Sequence, residues 1–144
     1  MSVIRGIEVR HLNLPLIKPY ALSYRTFESF EPYLVRMITD DHRVTFGEQH
    51  ISPGSSSETR EGGWSFLTSS AAEMIGSDIN VAFDRLNNKR SQSPVAATAL
   101  LNALDQLKEP GQWTPEDHLR IPVLTAFSAT THEQIKTELD EKIE

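Results

Sequence analysis

At 144 residues the chain is sized for one ordinary domain, and an apolar fraction of 38% suffices to fill a single core. Its 20 acidic and 14 basic residues leave a formal net charge of −6, with no basic stripe of the kind a phosphate backbone requires, so nucleic acid is not an expected partner. With no cysteine, disulfides, thiolate zinc sites and cysteine nucleophiles are excluded; without a membrane-length apolar run or an apolar leader, the expectation is a soluble cytoplasmic protein with no membrane partner.

In chain order, Val3, Ile7 and Val9 occupy odd positions and Leu12, Leu14 and Leu16 even ones. This predicts one long strand from Val3 to Leu16 whose apolar face changes phase at a bulge near Arg10 and His11, with Pro15 at its frayed end. Ile17–Ser29 mixes aromatics, hydroxyls and one guanidinium, is longer than a tight turn needs, and reads as a functional loop in which Tyr20, Tyr24, Arg25 and Phe27 line a ligand's path or simply pack the loop down. Phe30–Gln49 predicts a hairpin of two interior strands: Tyr33, Leu34, Val35, Met37 and Ile38 form an apolar run, Thr39 to His42 turn the chain, and Val44 and Phe46 alternate with Thr45 and Gly47.

Ser52–Ser57, SPGSSS, is an exposed linker. Ser55 and Glu58 have the spacing of a capping box, followed by Trp64, Leu67, Ala71, Met74 and Ile75 at helical intervals, with Gly62 and Gly63 weakening the first turn and Gly76 as the stop. Asp78 or Asn80 can cap a second helix bearing Phe83 and Leu86. Ser93 and Pro94 open a third, with Ala96, Ala97, Ala99, Leu100, Ala103, Leu104 and Leu107 along its apolar face. After a connector at 109–120, Ile121–Phe127 reads as a short strand and His132–Glu144, capped by Thr131, as a last helix with Ile135, Leu139 and Ile143 in its stripe.

No residue pattern in this chain points to catalysis or metal binding by itself. The histidines at 11, 42, 50, 118 and 132 form no HxH, HxxxH or HExxH pair, so they read as scattered surface residues. Asp40-Asp41-His42 concentrates charge where a hairpin turn wants such residues for conformational reasons. The serines at 55–57 lack a nucleophile-elbow setting. Glu48, at a strand end, faces either a ligand or solvent.

The order IRGIEVRHLNLPLIKPYALS, YLVRMITDD, TFGEQ, a helical segment ending AATALLNALDQL, and IPVLTAFSATT resembles the N-terminal capping domain of the mandelate racemase and muconate lactonizing enzyme family, within the enolase superfamily. The resemblance implies an α+β fold, a three-stranded antiparallel meander (2–50) and a helical bundle (about 58–108) making a capping domain at 1–108. A connector (109–120) and a truncated first β/α unit of a TIM-type barrel (121–144) follow. Where the family has Asp-Gly at the hairpin turn this chain has Asp41-His42, so a left-handed residue there is Asp or His, or the turn is of another type.

The resemblance further implies a metal-dependent isomerase or cycloisomerase that abstracts a proton alpha to a carboxylate and holds the enediolate on Mg2+, with base and metal ligands in the barrel. The lysines here, at 18, 89, 108, 136 and 142, include no Lys-x-Lys pair, so no catalytic or metal-ligating residue is expected in this chain. The family's capping loops correspond to Ile17–Ser29 and His50–Glu58, which nominates Tyr20, Tyr24, Arg25, His50, Ser52 and Ser55 as substrate-facing. Arg25 is foremost, because a guanidinium pairs with a carboxylate in bidentate fashion. The rival expectation is a non-catalytic binding or assembly module that dimerises through the edge of Ile121–Phe127.

Overall fold

The computed structural model describes residues 2–108, 129 and 131–143. The strand read at Ile121–Phe127, the self-association argued from its edge and the connector at 109–120 lie outside the described residues. In chain order the elements are β1 (Ile4–His11), β2 (Leu14–Ala21), β3 (Thr26–Phe30), β4 (Tyr33–Thr39), β5 (Val44–Gln49), α1 (Arg60–Met74), α2 (Ile79–Lys89), α3 (Pro94–Lys108) and α4 (His132–Ile143). They fall into two units, Met1–Pro15 with Ser29–Thr114 and Leu16–Glu28 with Pro115–Glu144. No described helix is long and apolar enough to cross a membrane.

The first unit is an antiparallel sheet in the order β1-β4-β5 with α1, α2 and α3 gathered on one face. β4 is central, and its alternation is the period of a pleated strand: Tyr33, Val35, Met37 and Thr39 are buried, while Leu34, Arg36 and Ile38 on the other face are half-buried. On that outer face Arg36 stands opposite Glu8 and donates to it at 2.8 Å. The core joins Ile4, Val35 and Met37 to Leu67 and Met74 of α1, Leu86 of α2 and the apolar stripe of α3.

Three expectations need correcting. The strand predicted from Val3 to Leu16 ends at His11, where the Leu12 N–H turns away to donate to the Pro32 carbonyl at 3.0 Å; the register irregularity lies earlier, between Ile4 and Gly6. The expected loop at Ile17–Ser29 is a β-ribbon, β2 paired with β3, and Pro15 and Pro19 lie within a strand rather than at its end. Both strands of a two-stranded ribbon are edge strands, the setting in which a sheet tolerates proline. Finally, β5 is an edge strand rather than an interior one: Thr45 and Gly47 face the core while Val44 and Phe46 are 42% and 56% exposed.

The facing of β5 follows from α3, which packs directly on it. Small residues on both sides let the two backbones approach, and the Thr45 hydroxyl donates to the Ala103 carbonyl at 2.8 Å. The Gln106 side-chain amide donates to the Phe46 carbonyl at 2.5 Å, occupying part of the otherwise open edge. At the hairpin turn His42 takes the left-handed conformation, φ 65°, that glycine would hold at lower cost.

That turn is tied to the rest of the unit by ionic hydrogen bonds. Asp41 accepts from the Thr39 hydroxyl, from the Ser2 hydroxyl at 2.7 Å and from Arg43 Nε at 2.9 Å, while Arg43 also donates to the Leu107 carbonyl at the end of α3 at 2.7 Å. These bonds, Thr39 first, then Ser2 and Arg43, hold the Asp41 carboxyl well below the usual carboxylate range. A depressed folded-state pKa favours the native state above the unfolded value of about 3.9 and loses that contribution as pH falls through the folded value. The thermal midpoints of wild type and Asp41→Asn are therefore expected to differ at pH 6 and to converge toward pH 2; a constant gap across that range would show that the ionised form is not what matters.

In the second unit, the ribbon hydrogen-bonds across its tip between Leu22 and Arg25 in both directions, at 2.8 and 3.3 Å, leaving Ser23 and Tyr24 as the two-residue turn. α4 begins as expected, with Thr131 Oγ1 accepting from the Gln134 N–H at 3.3 Å, and Lys18 of the ribbon lies 3.6 Å from Glu141.

Candidate functional site

The six nominated residues fall into two sets, one in each unit. Tyr20, Tyr24 and Arg25 sit at or beside the tip of the β2–β3 ribbon. Phe27 is buried, and the Arg25 guanidinium lies 5.0 Å from its ring centroid, a cation–π contact that holds the charged group against the ribbon. The ribbon otherwise presents apolar groups to solvent: Leu14, Ile17, Tyr20, Leu22 and Tyr24 are all exposed. With Lys18, Arg25 and Glu28 set among exposed aliphatic and phenolic groups, the ribbon can grip a molecule that is largely apolar and carries a carboxylate.

His50, Ser52 and Ser55 lie in the segment between β5 and α1. The His50 ring is half-buried and meets Phe30 edge-on at 5.2 Å. Ser55 donates from both its hydroxyl and its N–H to the Ser52 carbonyl, at 2.7 and 3.1 Å, closing a turn in which Gly54 takes φ 102°. Ser55 is thus occupied in shaping the loop, whereas Ser52 supplies a backbone acceptor.

Ser55 and Glu58 do not form the expected capping box. Thr59 caps α1, accepting from the Gly62 N–H at 3.1 Å, so the helix begins at Arg60, within the frayed stretch that the two glycines foretold. Of the expected α1 stripe, Leu67, Ala71 and Met74 are buried, but Trp64 and Ile75 are exposed. Glu58 reaches across to α3 instead: its carboxylate accepts from the Val95 N–H at 2.7 Å, the Ala96 N–H at 3.3 Å and the Ser93 hydroxyl. The cap expected from Ser93 alone is therefore delivered by a residue 37 positions before Val95. No local spacing announces such a bond; only an acidic residue at the end of a linker hinted at it. A cavity of about 550 Å3 opens beside it, lined by Ser57, Glu58, Gly62, Phe66 and Ser93 among others.

Among the described residues no three His, Asp or Glu side chains stand close enough to hold a metal ion, so the donor set that Mg2+ requires is not met by them.

No family model matches the sequence, and no curated protein does. Solved structures do. A dipeptide epimerase from Methylococcus capsulatus, complexed with Mg and the dipeptide L-Arg-D-Lys, is 26% identical with a TM-score of 0.64, over 74% of this chain and 31% of that one. An N-succinyl Arg/Lys racemase from Bacillus cereus is 24% identical with a TM-score of 0.66, over 74% and 30%. A mandelate racemase/muconate lactonizing protein from Herpetosiphon aurantiacus is 23% identical with a TM-score of 0.62, over 71% and 29%. The chain thus spans about 30% of the length of the structures it matches. An antiparallel sheet β1-β4-β5 backed by three helices, aligned with these structures, is the N-terminal domain fold of the mandelate racemase/muconate lactonizing enzyme family of the enolase superfamily.

Proposed function

We propose that residues 1–108 form the substrate-capping domain of a cytoplasmic, metal-dependent racemase, epimerase or cycloisomerase that removes a proton alpha to a carboxylate. The observation that carries this reading is the coverage: about three quarters of this chain aligns with less than one third of racemases and epimerases. The β2–β3 ribbon and the segment at 50–58 are the two surfaces that select substrate and exclude water. Arg25 is the group assigned to a substrate carboxylate, Tyr20 and Tyr24 provide apolar walls, and His50, Ser52 and Ser55 shape the second segment. Proton transfer and Mg2+ binding belong to groups outside this set.

The exposed apolar ribbon supports the proposal physically. Ile17 is fully exposed and Leu14 nearly half so, a surface that gains free energy when something covers it. The 144-residue chain, supplied with Mg2+ and a panel of mandelate-like acids, dipeptides and muconates in deuterated water, is expected to give neither turnover nor exchange of the alpha proton. Deuterium incorporation at the alpha carbon would overturn the assignment of chemistry to groups beyond these residues.

A further inference from the structure

A second concavity in the first unit has no part in that reading. A cavity of about 310 Å3 is lined by His11, Tyr33, Arg60, Glu61 and Trp64. Three rings from the end of β1, the start of β4 and the first turns of α1 meet there. His11 and Tyr33 lie 5.0 Å apart between centroids, Tyr33 and Trp64 5.9 Å, and His11 and Trp64 6.4 Å, with interplanar angles of 36°, 37° and 44°. Rings tilted by such angles form a bowl rather than a stack.

We propose that this bowl binds a small organic cation, a methylated ammonium group, with Glu61 at the rim supplying the countercharge. The charges decide the sign of the guest. Arg60 is neutralised by Glu31, 2.5 Å away, and the same carboxylate oxygen lies 3.6 Å from His11 Nε2. Glu61 makes no ion pair among the described residues, so the formal charge around the bowl is negative. The Tyr33 hydroxyl reports the same field: burial first, and then Glu61 and Glu31 against the opposing pull of Arg60, push its pKa up. That hydroxyl donates to the Arg60 carbonyl at 2.6 Å and the ring is buried, so Tyr33 forms the floor of the bowl and the rings exposed to solvent are those of His11 and Trp64.

The faces of the rings carry the negative part of the aromatic quadrupole, which attracts a cation within about 6 Å of a centroid. A methylated head suits them better than a bare ammonium, whose strong hydration has to be given up. Trp64 is 39% exposed although its helix turns other large apolar groups inward, which leaves its indole accessible from solvent. None of these residues lies in the ribbon or the 50–58 segment, so this inference stands or falls apart from the capping-domain reading.

The test is a titration of the full chain with choline and with its uncharged isostere 3,3-dimethylbutan-1-ol, followed by the indole N–H resonance that Trp64→Leu removes. Choline is expected to shift that resonance saturably and to bind about fivefold more tightly than the alcohol. Glu61→Gln, which alters only an exposed carboxylate, is expected to weaken choline about threefold without changing the alcohol's affinity. Equal affinity for the two isosteres, no saturable shift with either, or an unchanged choline affinity in Glu61→Gln would overturn the proposal, and the last needs no variant of the ring cluster.

Discussion

Gly47→Ala is expected to destabilise the fold by about 3 kcal/mol, the upper end for overpacking a well-filled interior, and to lower the urea midpoint accordingly. A Cβ built at position 47 would lie 1.8 Å from the Ala99 carbonyl oxygen, 2.8 Å from its carbon and 3.2 Å from the Ala103 nitrogen. All three are backbone atoms of α3, so no rotamer relieves the overlap. Nor can β5 retreat, because Gly47 is paired with Val35 of the central strand and its neighbour Thr45 is hydrogen-bonded to α3.

Gly63→Ala supplies the contrast. Its Cβ would meet Ile51 Cδ1 at 2.0 Å, the far end of a side chain that can turn aside, and the helix would gain about 1 kcal/mol of propensity. The net change is expected to stay below about 1 kcal/mol. If both variants lowered the midpoint equally, close backbone approach would not be the reason for Gly47.

Glu58→Ala is expected to cost about 2 kcal/mol, the range for losing a helix cap whose acceptor is charged. Two N–H groups of the first turn of α3 and the Ser93 hydroxyl would lose their partner together. Hydrogen exchange is the sharper measurement. The Val95 and Ala96 amides should lose protection in Glu58→Ala before the rest of α3 does, whereas Ser55→Ala should leave them unchanged. Unaltered exchange at both amides would remove Glu58 from the capping role.

What could be read from the sequence was what depends on local period or local chemistry. The β4 strand, the Asp78 cap of α2, the Gly76 stop after α1 and the stripe of α3 all appear where the residues put them. What escaped depends on partners far along the chain. β5 read as an interior strand, because alternation gives a period but not its phase or its place in the sheet; α3 decides the phase by leaving room only for Thr45 and Gly47. The β2–β3 ribbon escaped because its tip, Ser23-Tyr24, lacks the Asn or Gly that usually marks a two-residue hairpin, and because two prolines obscured the strand. The candidate site was legible as two unusual segments, but the reach of Glu58 across to α3 was not.

That reach has a consequence for how such a protein changes over time. The segment after β5 is nailed down at one end by Ile51, which is wholly inside the core, and at the other by Glu58. The six residues between these anchors carry none of the core, so their identity can be rewritten while the framework stays in place. New preferences could then be acquired by exchanging SPGSSS for another insert, with both ends of the graft already fixed by the host.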